Sequence, residues 1–248
     1  MNISIQSSRS YEPLSSGYRI NRAADDASGL AISEKLKKNS TGFEVGSSNA
    51  KDGQSLINVA DGALSGIQGS LQRIYELGLR ASNGLYGDSE RKSIQMEIDG
   101  LKEEIQNVAK NTNFNTVKLL DGSMADIELA TNPQGGGLKI GLVNSTLESL
   151  GIADFDVTKD FDLDSIKKAM DTISGARSNM GAQYNRLSST IAYNDYSNYN
   201  LTAANSRIRD TDYAKESVNK SRDNALQQYK FYMMKEQMNS NAGFMRLF

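Results

Sequence analysis

The sequence has no cysteine, no histidine and no tryptophan, and only two prolines in 248 residues. Without cysteine it forms no disulfide and carries no thiolate nucleophile. Without histidine it lacks the side chain that titrates near neutral pH and the commonest metal ligand. No H-E-x-x-H motif is available either, so no enzyme activity and no cofactor are expected. No apolar run approaches the roughly 20 residues of a membrane-spanning helix, so no membrane insertion is expected. The first residues, MNISIQSSRSYEP, show no basic region followed by an apolar core. An exported chain of this kind needs a route other than a cleaved signal peptide. An excess of charge is missing too. Lys and Arg number 28 against 30 Asp and Glu. That balance argues against a general nucleic-acid binder, which needs a basic face to displace counterions.

What the chain does have is long helical periodicity. Pro13 and Gly17 separate a short tail from the first long helix. Apolar positions then recur every seven residues at Leu36, Phe43, Ala50, Ile57, Leu64 and Leu71. Ala60, Ile67, Ile74 and Ala81 form a second series, so the two make the 3–4 alternation of a coiled coil or helical bundle. No proline interrupts Asp25 to Ser82. A helix of about 55–60 residues is expected there, roughly 85–90 Å long. NGLYGD, Asn83 to Asp88, is a turn. Asp88 or Ser89 is expected to cap a second helix, with Glu90 in its first turn. That helix carries Ile94, Ile98, Leu101, Ile105 and Val108 and should fold back antiparallel to the first.

Between Phe114 and about Phe161 the period changes. Ile127 and Leu129, then Leu138, Ile140 and Leu142, alternate around NPQGGG, Asn132 to Gly137, as a hairpin with a flexible loop. Acidic Asp154 to Asp164 reads as a connector. A third helix carries Ile166, Met170, Ile173, Met180, Tyr184, Leu187 and Ile191, with Ala176 substituting where the beat falls on Arg177. The last helix should start near RDTDYAKE, capped by Asp210, Thr211 or Asp212, and holds Ala214, Val218, Ala225, Tyr229, Tyr232 and Met233. The expected fold is mainly α: an elongated antiparallel helical bundle with a small β-hairpin region and the chain termini together at one end. The adjacent acids Asp25–Asp26 and Glu103–Glu104 point in different directions on a helix and read as solvated or ion-paired. The acids at 154, 156, 160, 162 and 164 lack the glycine and terminal Glu of a calcium loop.

Five segments, in order, resemble bacterial flagellins. They are LSSGYRINRAADDASGLAIS (Leu14–Ser33), NAKDGQSLINVADGAL (Asn49–Leu64), LQRIYELGLRASNG (Leu71–Gly84), NTNFNTVKLLDG (Asn111–Gly122) and RIRDTDYAKESVNKSRDNALQQ (Arg207–Gln228). The resemblance implies a structural filament subunit that polymerises with itself for motility. It also implies type III export, secretion to an extracellular flagellum, and an export chaperone, filament cap and junction proteins as partners. Residues 1–22 and 207–248 would form the inner-tube-type terminal region. Residues 23–206 would form the long-helix bundle, with its β-hairpin region around 114–161 and no outer variable domain. Flagellins normally carry several more turns of helix before LSSG, so the N-terminal segment is expected to be shortened.

The resemblance also singles out residues. The matching wall region of flagellins is recognised by Toll-like receptor 5, which points to Leu71, Gln72, Arg73, Leu77 and Glu97, with Arg73 central. An arginine flanked by aliphatic surface is a common hot-spot pattern. On an arbitrary helix, Arg73 and Glu97 would be solvated charges and Leu77 an edge-of-core residue. For polymerisation or chaperone binding the candidates are Tyr229, Tyr232 and Met233, and the apolar end Phe244, Met245, Leu247 and Phe248. An apolar tail has little reason to exist unless it is covered. Two other readings remain: a hook–filament junction protein, and a flagellin core carrying an unrecognised enzymatic role.

Overall fold

The computed structural model describes the backbone of residues 12–245 and the side chains of residues 12–239. The tail up to Tyr11, the side chains of Phe244 and Met245, and all of Leu247 and Phe248 lie outside the described residues. Helix α1 spans Ala27–Ala81, α2 Asp88–Asn111, α3 Asp164–Arg209 and α4 Tyr213–Met245. Between α2 and α3 lie β1 (Asn113–Phe114), β2 (Val117–Lys118), β3 (Asp126–Ala130) and β4 (Gly137–Gly141). These elements divide into two compact units. One is Gly42–Tyr196; the other combines the described residues up to Thr41 with those from Ser197 onward. Helices α1 and α3 contribute to both.

The unit 42–196 holds the hydrophobic core. From α1 it buries Ile57, Ala60, Leu64, Ile67, Leu71, Ile74 and Ala81, the expected seam, together with Leu56 and Leu77. Helix α2 adds Ile98 and Ile105, with Ile94, Leu101 and Val108 half-buried against them. Helix α3 adds Ile166, Ile173, Met180 and Leu187. Each such aliphatic side chain taken from water contributes about 1.5–3 kcal/mol. Ala176 is buried in place of Arg177, as the pattern predicts. Arg177 instead reaches α1, its Nε donating to Asp61 at 2.8 Å and its Nη1 to Gln68 at 2.7 Å.

Several details differ from expectation. Tyr184 is exposed, because the series Ala169, Ala176 and half-buried Gln183, not Tyr184, accompanies Ile166, Ile173, Met180 and Leu187 on the buried face. Phe43 is only half-buried, and forms an edge-on ring contact with Tyr193, centroids 6.1 Å apart. The N-cap of α2 is Gly87, with no side-chain hydrogen bond, rather than Asp88 or Ser89. Asp88 and Glu90 both fall in the first turn, where carboxylates complement the helix dipole.

The hairpin is antiparallel, pairing Ile127 with Ile140 and Leu129 with Leu138, so the apolar residues share one face. The NPQGGG loop is tied rather than loose. Asn132 Oδ1 accepts hydrogen bonds from the Gln134 and Gly136 N–H groups at 3.1 and 3.0 Å. Thr131 and Asn132 N–H groups donate to the Gly136 carbonyl at 3.1 and 3.2 Å. Glycines let the hairpin sit directly on α1. A Cβ at Gly46 would lie 2.5 Å from the Thr131 carbonyl oxygen, one at Gly53 2.3 Å from Leu129, and one at Gly42 2.7 Å from Pro133. Asn194 of α3 donates from Nδ2 to the same Thr131 oxygen at 2.8 Å, in a buried position.

The segment read as a connector is part of the core. Phe155 and Val157 are buried, and Phe155 meets Phe161 edge-on at 5.7 Å. Among its acids, the Asp156 carboxyl is held down at about 2 by hydrogen bonds from the Thr158 hydroxyl and N–H, with Lys159 beside it.

In the other unit, Asp26 caps α1, its Oδ1 accepting from the Gly29 N–H at 2.8 Å. Asp25 Oδ2 accepts from the N–H groups of Asn21 and Arg22 at 3.1 and 2.9 Å. The paired acids therefore serve backbone geometry. The segment 17–20 lies against the end of α3: Arg19 N–H donates to the Arg209 carbonyl at 2.7 Å, and Thr211 N–H to the Gly17 carbonyl at 2.9 Å. Arg209 stacks 4.7 Å over the Tyr18 ring and pairs with Glu34 at 3.1 Å. Ser33 Oγ donates to Asn205 at 2.6 Å and completes the α1–α3 contact here with polar rather than apolar groups.

Candidate interaction surfaces

Arg73 projects from α1 toward α2. Its Nε and Nη2 both donate to Glu97 Oε1, at 2.9 and 2.7 Å, and its Nη1 donates to Glu76 at 3.4 Å. The bond to Glu97 raises the guanidinium's affinity for its proton above the ordinary arginine value, and the charges of Glu97 and Glu76 add to it. All three side chains stay substantially solvent-exposed, with 40, 47 and 51% accessible for Arg73, Glu97 and Glu76. Exposed pairs of this kind contribute little to folding. They do hold the guanidinium at one place on an outward face. Gln72 is exposed beside it, whereas Leu71 and Leu77 lie beneath in the core, with 0 and 2% accessible. Of the five residues in this group, the fold therefore presents Gln72, Arg73 and Glu97 outward. Met96, 69% exposed, neighbours Glu97 in the chain and is an apolar contributor that pattern reading missed.

Helix α4 begins where Asp212 caps it, the side chain accepting from the Lys215 N–H at 3.0 Å. Its half-buried positions after the cap are Glu216, Asn219, Lys220, Asp223 and Gln227, all polar. Its large apolar residues point outward instead. Tyr229, Tyr232 and Met233 are 62, 65 and 50% exposed. Phe231, Met234 and Met238, on a different side of the helix, are exposed as well. Sequence reading found the first three because they follow a helical i, i+3, i+4 stripe. It passed over the second three because a stripe search assumes one wet face. A stretch apolar on all sides is stable when other chains surround it.

Tyrosines also mark α3, where Tyr193, Tyr196 and Tyr199 are exposed at three-residue intervals. Among the described residues, no group of three or more Asp or Glu is placed to hold a metal ion. No described helix is long and apolar enough to cross a membrane.

Comparison with known proteins accords with this layout of long helices at both ends. Residues 2–125 match the bacterial flagellin N-terminal helical region and residues 163–242 the bacterial flagellin C-terminal helical region. A flagellin of Halalkalibacterium halodurans is 40% identical over 230 residues, covering 90% of this chain and 85% of that protein. A flagellin of Bacillus subtilis is 38% identical, with 90% and 86% covered. A flagellar filament core protein of Brachyspira hyodysenteriae is 35% identical, with 97% and 91% covered. The crystal structure of Bacillus cereus flagellin superposes with a TM-score of 0.53 at 27% identity, over 59% of this chain and 88% of that one. A protein described as flagellar hook-associated, from Vibrio parahaemolyticus, superposes with a TM-score of 0.62 at 14% identity, over 75% of this chain and all of that one, a likeness of fold alone.

Proposed function

Because this chain belongs to the bacterial flagellin family and is a structural subunit of the flagellar filament, not an enzyme, we propose that α4 supplies its polymerisation surface. The observation that carries this is the outward display of Tyr229, Phe231, Tyr232, Met233, Met234 and Met238. Burial of each in a filament would contribute about 1.5–3 kcal/mol, and self-association supplies that burial many times over in a repeating assembly. Residues 207–248 together with 1–22 form the terminal, inner-tube-type region in this reading, and residues 23–206 the wall. The same apolar helix needs cover before assembly. An export chaperone meets that need, and filament cap and junction proteins meet the ends of the polymer. Type III export then delivers the chain to an extracellular filament. Phe244, Met245, Leu247 and Phe248, whose side chains lie outside the described residues, are candidates for the same role by their apolar character alone.

The test is polymerisation of purified full-length protein. Replacing Tyr229, Tyr232 and Met233 together with serine should leave the helical circular dichroism unchanged. The critical concentration should rise by about tenfold or more, since losing even one such contact removes at least ~1.4 kcal/mol. Filaments that form at the wild-type concentration would overturn the reading.

A second reading concerns Arg73 and rests on its fixed outward guanidinium. We place a receptor contact of the Toll-like receptor 5 type on Gln72, Arg73 and Glu97, with Leu71 and Leu77 supporting the helix from below. Arg73→Ala should weaken monomer binding to the receptor ectodomain by about 1–3 kcal/mol. Unchanged affinity in a direct binding measurement would return Arg73 to the role of a solvated ion pair.

A further inference from the structure

The turn between α1 and α2 contains the one Asn-Gly pair in the sequence, Asn83–Gly84. We propose that this pair is a self-modifying site, at which Asn83 is converted without an enzyme into aspartate and isoaspartate. In the first step the Gly84 backbone nitrogen loses its proton to solvent base and adds to Asn83 Cγ. The Nδ2 group then takes a proton from solvent, the Cγ–Nδ2 bond breaks with its electron pair going to nitrogen, ammonia leaves, and a five-membered succinimide remains. In the second step water adds to either succinimide carbonyl and opens the ring. Opening on one side leaves aspartate. Opening on the other leaves isoaspartate, with an extra methylene in the main chain. No oxidant, reductant or cofactor is needed.

Three observations favour this site. Asn83 and Gly84 are both exposed, and both lie outside the two helices. Among the described residues, no hydrogen bond engages the Gly84 N–H, while its neighbours Asn83 and Tyr86 donate to the carbonyls of Arg80 and Asn83. The attacking atom is therefore not tied up. Third, the Leu85 N–H donates to Asn83 Oδ1 at 3.1 Å. That bond folds the side chain back over its own following backbone. It also places a donor on the oxygen that becomes negative when Gly84 N adds to Cγ, the logic of an oxyanion hole. Leu85 is 90% exposed, so no packing opposes the small movement that ring closure requires.

The chain supplies its own contrasts. Asp52–Gly53 and Asp61–Gly62 lie within α1, and Asp99–Gly100 within α2. There the glycine N–H is bonded along the helix and the backbone holds the side-chain carbon away from it. At Gly84 a Cβ would meet nothing within 4 Å, and the residue is not in the left-handed region. Gly84→Ala therefore preserves the turn while obstructing attack.

The experiment incubates native full-length protein at mildly alkaline pH and follows the peptide containing residue 83 by mass spectrometry. Fragmentation distinguishes aspartate from isoaspartate. The expected result is conversion at Asn83 ahead of every other asparagine, at a rate no lower than in the urea-unfolded chain. Gly84→Ala should slow conversion by about tenfold or more, the factor that 1.36 kcal/mol of added barrier produces. Two results would overturn the proposal. One is an Asn83 amide that persists in the native protein at least tenfold longer than in the unfolded chain. The other is a Gly84→Ala protein that converts as fast as the wild type, which would mean direct hydrolysis rather than cyclisation.

Discussion

Asn115 and Thr116 connect β1 to β2 with φ values of 47 and 70°. Two consecutive positive values make a primed turn, whose twist suits a two-residue hairpin. Asparagine tolerates that backbone, but threonine is branched at Cβ and pays about 1–2 kcal/mol there. Glycine adopts the conformation freely, at an entropic cost of roughly 0.5–1 kcal/mol. The difference predicts that Thr116→Gly stabilises the protein by about 0.5–1 kcal/mol. The check is a urea midpoint that rises with an unchanged slope; a midpoint that falls would show that the Thr116 side chain makes a compensating contact. Nothing in NFNTVK announces this strain, because backbone sign is set by how the two short strands meet. Asp26 is a different case. Spacing along the chain gives adjacent acids the reading of solvated or ion-paired groups, whereas the Asp26 side chain caps α1 by accepting from the Gly29 N–H.

Helix α1 shows why one substitution has opposite signs along a single element. Gly42, Gly46 and Gly53 face the β3–β4 hairpin, whereas Gly62, Gly66 and Gly69 have open space where a Cβ would be. Alanine is favoured over glycine by about 1 kcal/mol in a helix interior. Gly66→Ala should therefore stabilise by up to about that amount. Gly46→Ala gains the same propensity but drives a methyl group into the Thr131 backbone. Overpacking of this kind costs about 1–3 kcal/mol, so after the propensity gain a net destabilisation of up to about 2 kcal/mol is expected. Thermal melts of both variants decide the matter, and a stabilised Gly46→Ala would refute the close seating of the hairpin. The seams of α1 and α2 were legible because a 3–4 beat repeats locally. The glycine face was not, since its partners lie more than seventy-five residues away in the chain. The same distance hid Arg177, whose partners Asp61 and Gln68 belong to another helix.

For the molecule as a whole, the contrast between its parts is energetic. The unit 42–196 encloses a continuous apolar core, while α4 turns its largest apolar side chains outward. Local stability should follow. Backbone amides of α4 from Tyr213 to Asn239 should exchange with solvent far faster in the monomer than those of Ile67 to Leu77. In assembled filaments the α4 amides should slow by about 100-fold or more, the factor that roughly 2.7 kcal/mol of association supplies. Hydrogen exchange followed by mass spectrometry reads both regions at once. Equal exchange of α4 in monomer and filament would show that another surface carries the assembly.

By itself the sequence determined the helical elements, the phase of the hairpin, the missing catalytic chemistry and the family. These depend on spacing and identity along the chain, which survive without knowing what touches what. Tertiary structure alone decided that Leu71 and Leu77 support a surface rather than form it. It also decided that the acidic connector carries buried Phe155 and Val157, and that α4 keeps its apolar face uncovered. Each of these turns on which of several similar faces meets a neighbour. That choice is made by the register between elements far apart in sequence, where one residue of shift rotates a helix face by about 100°.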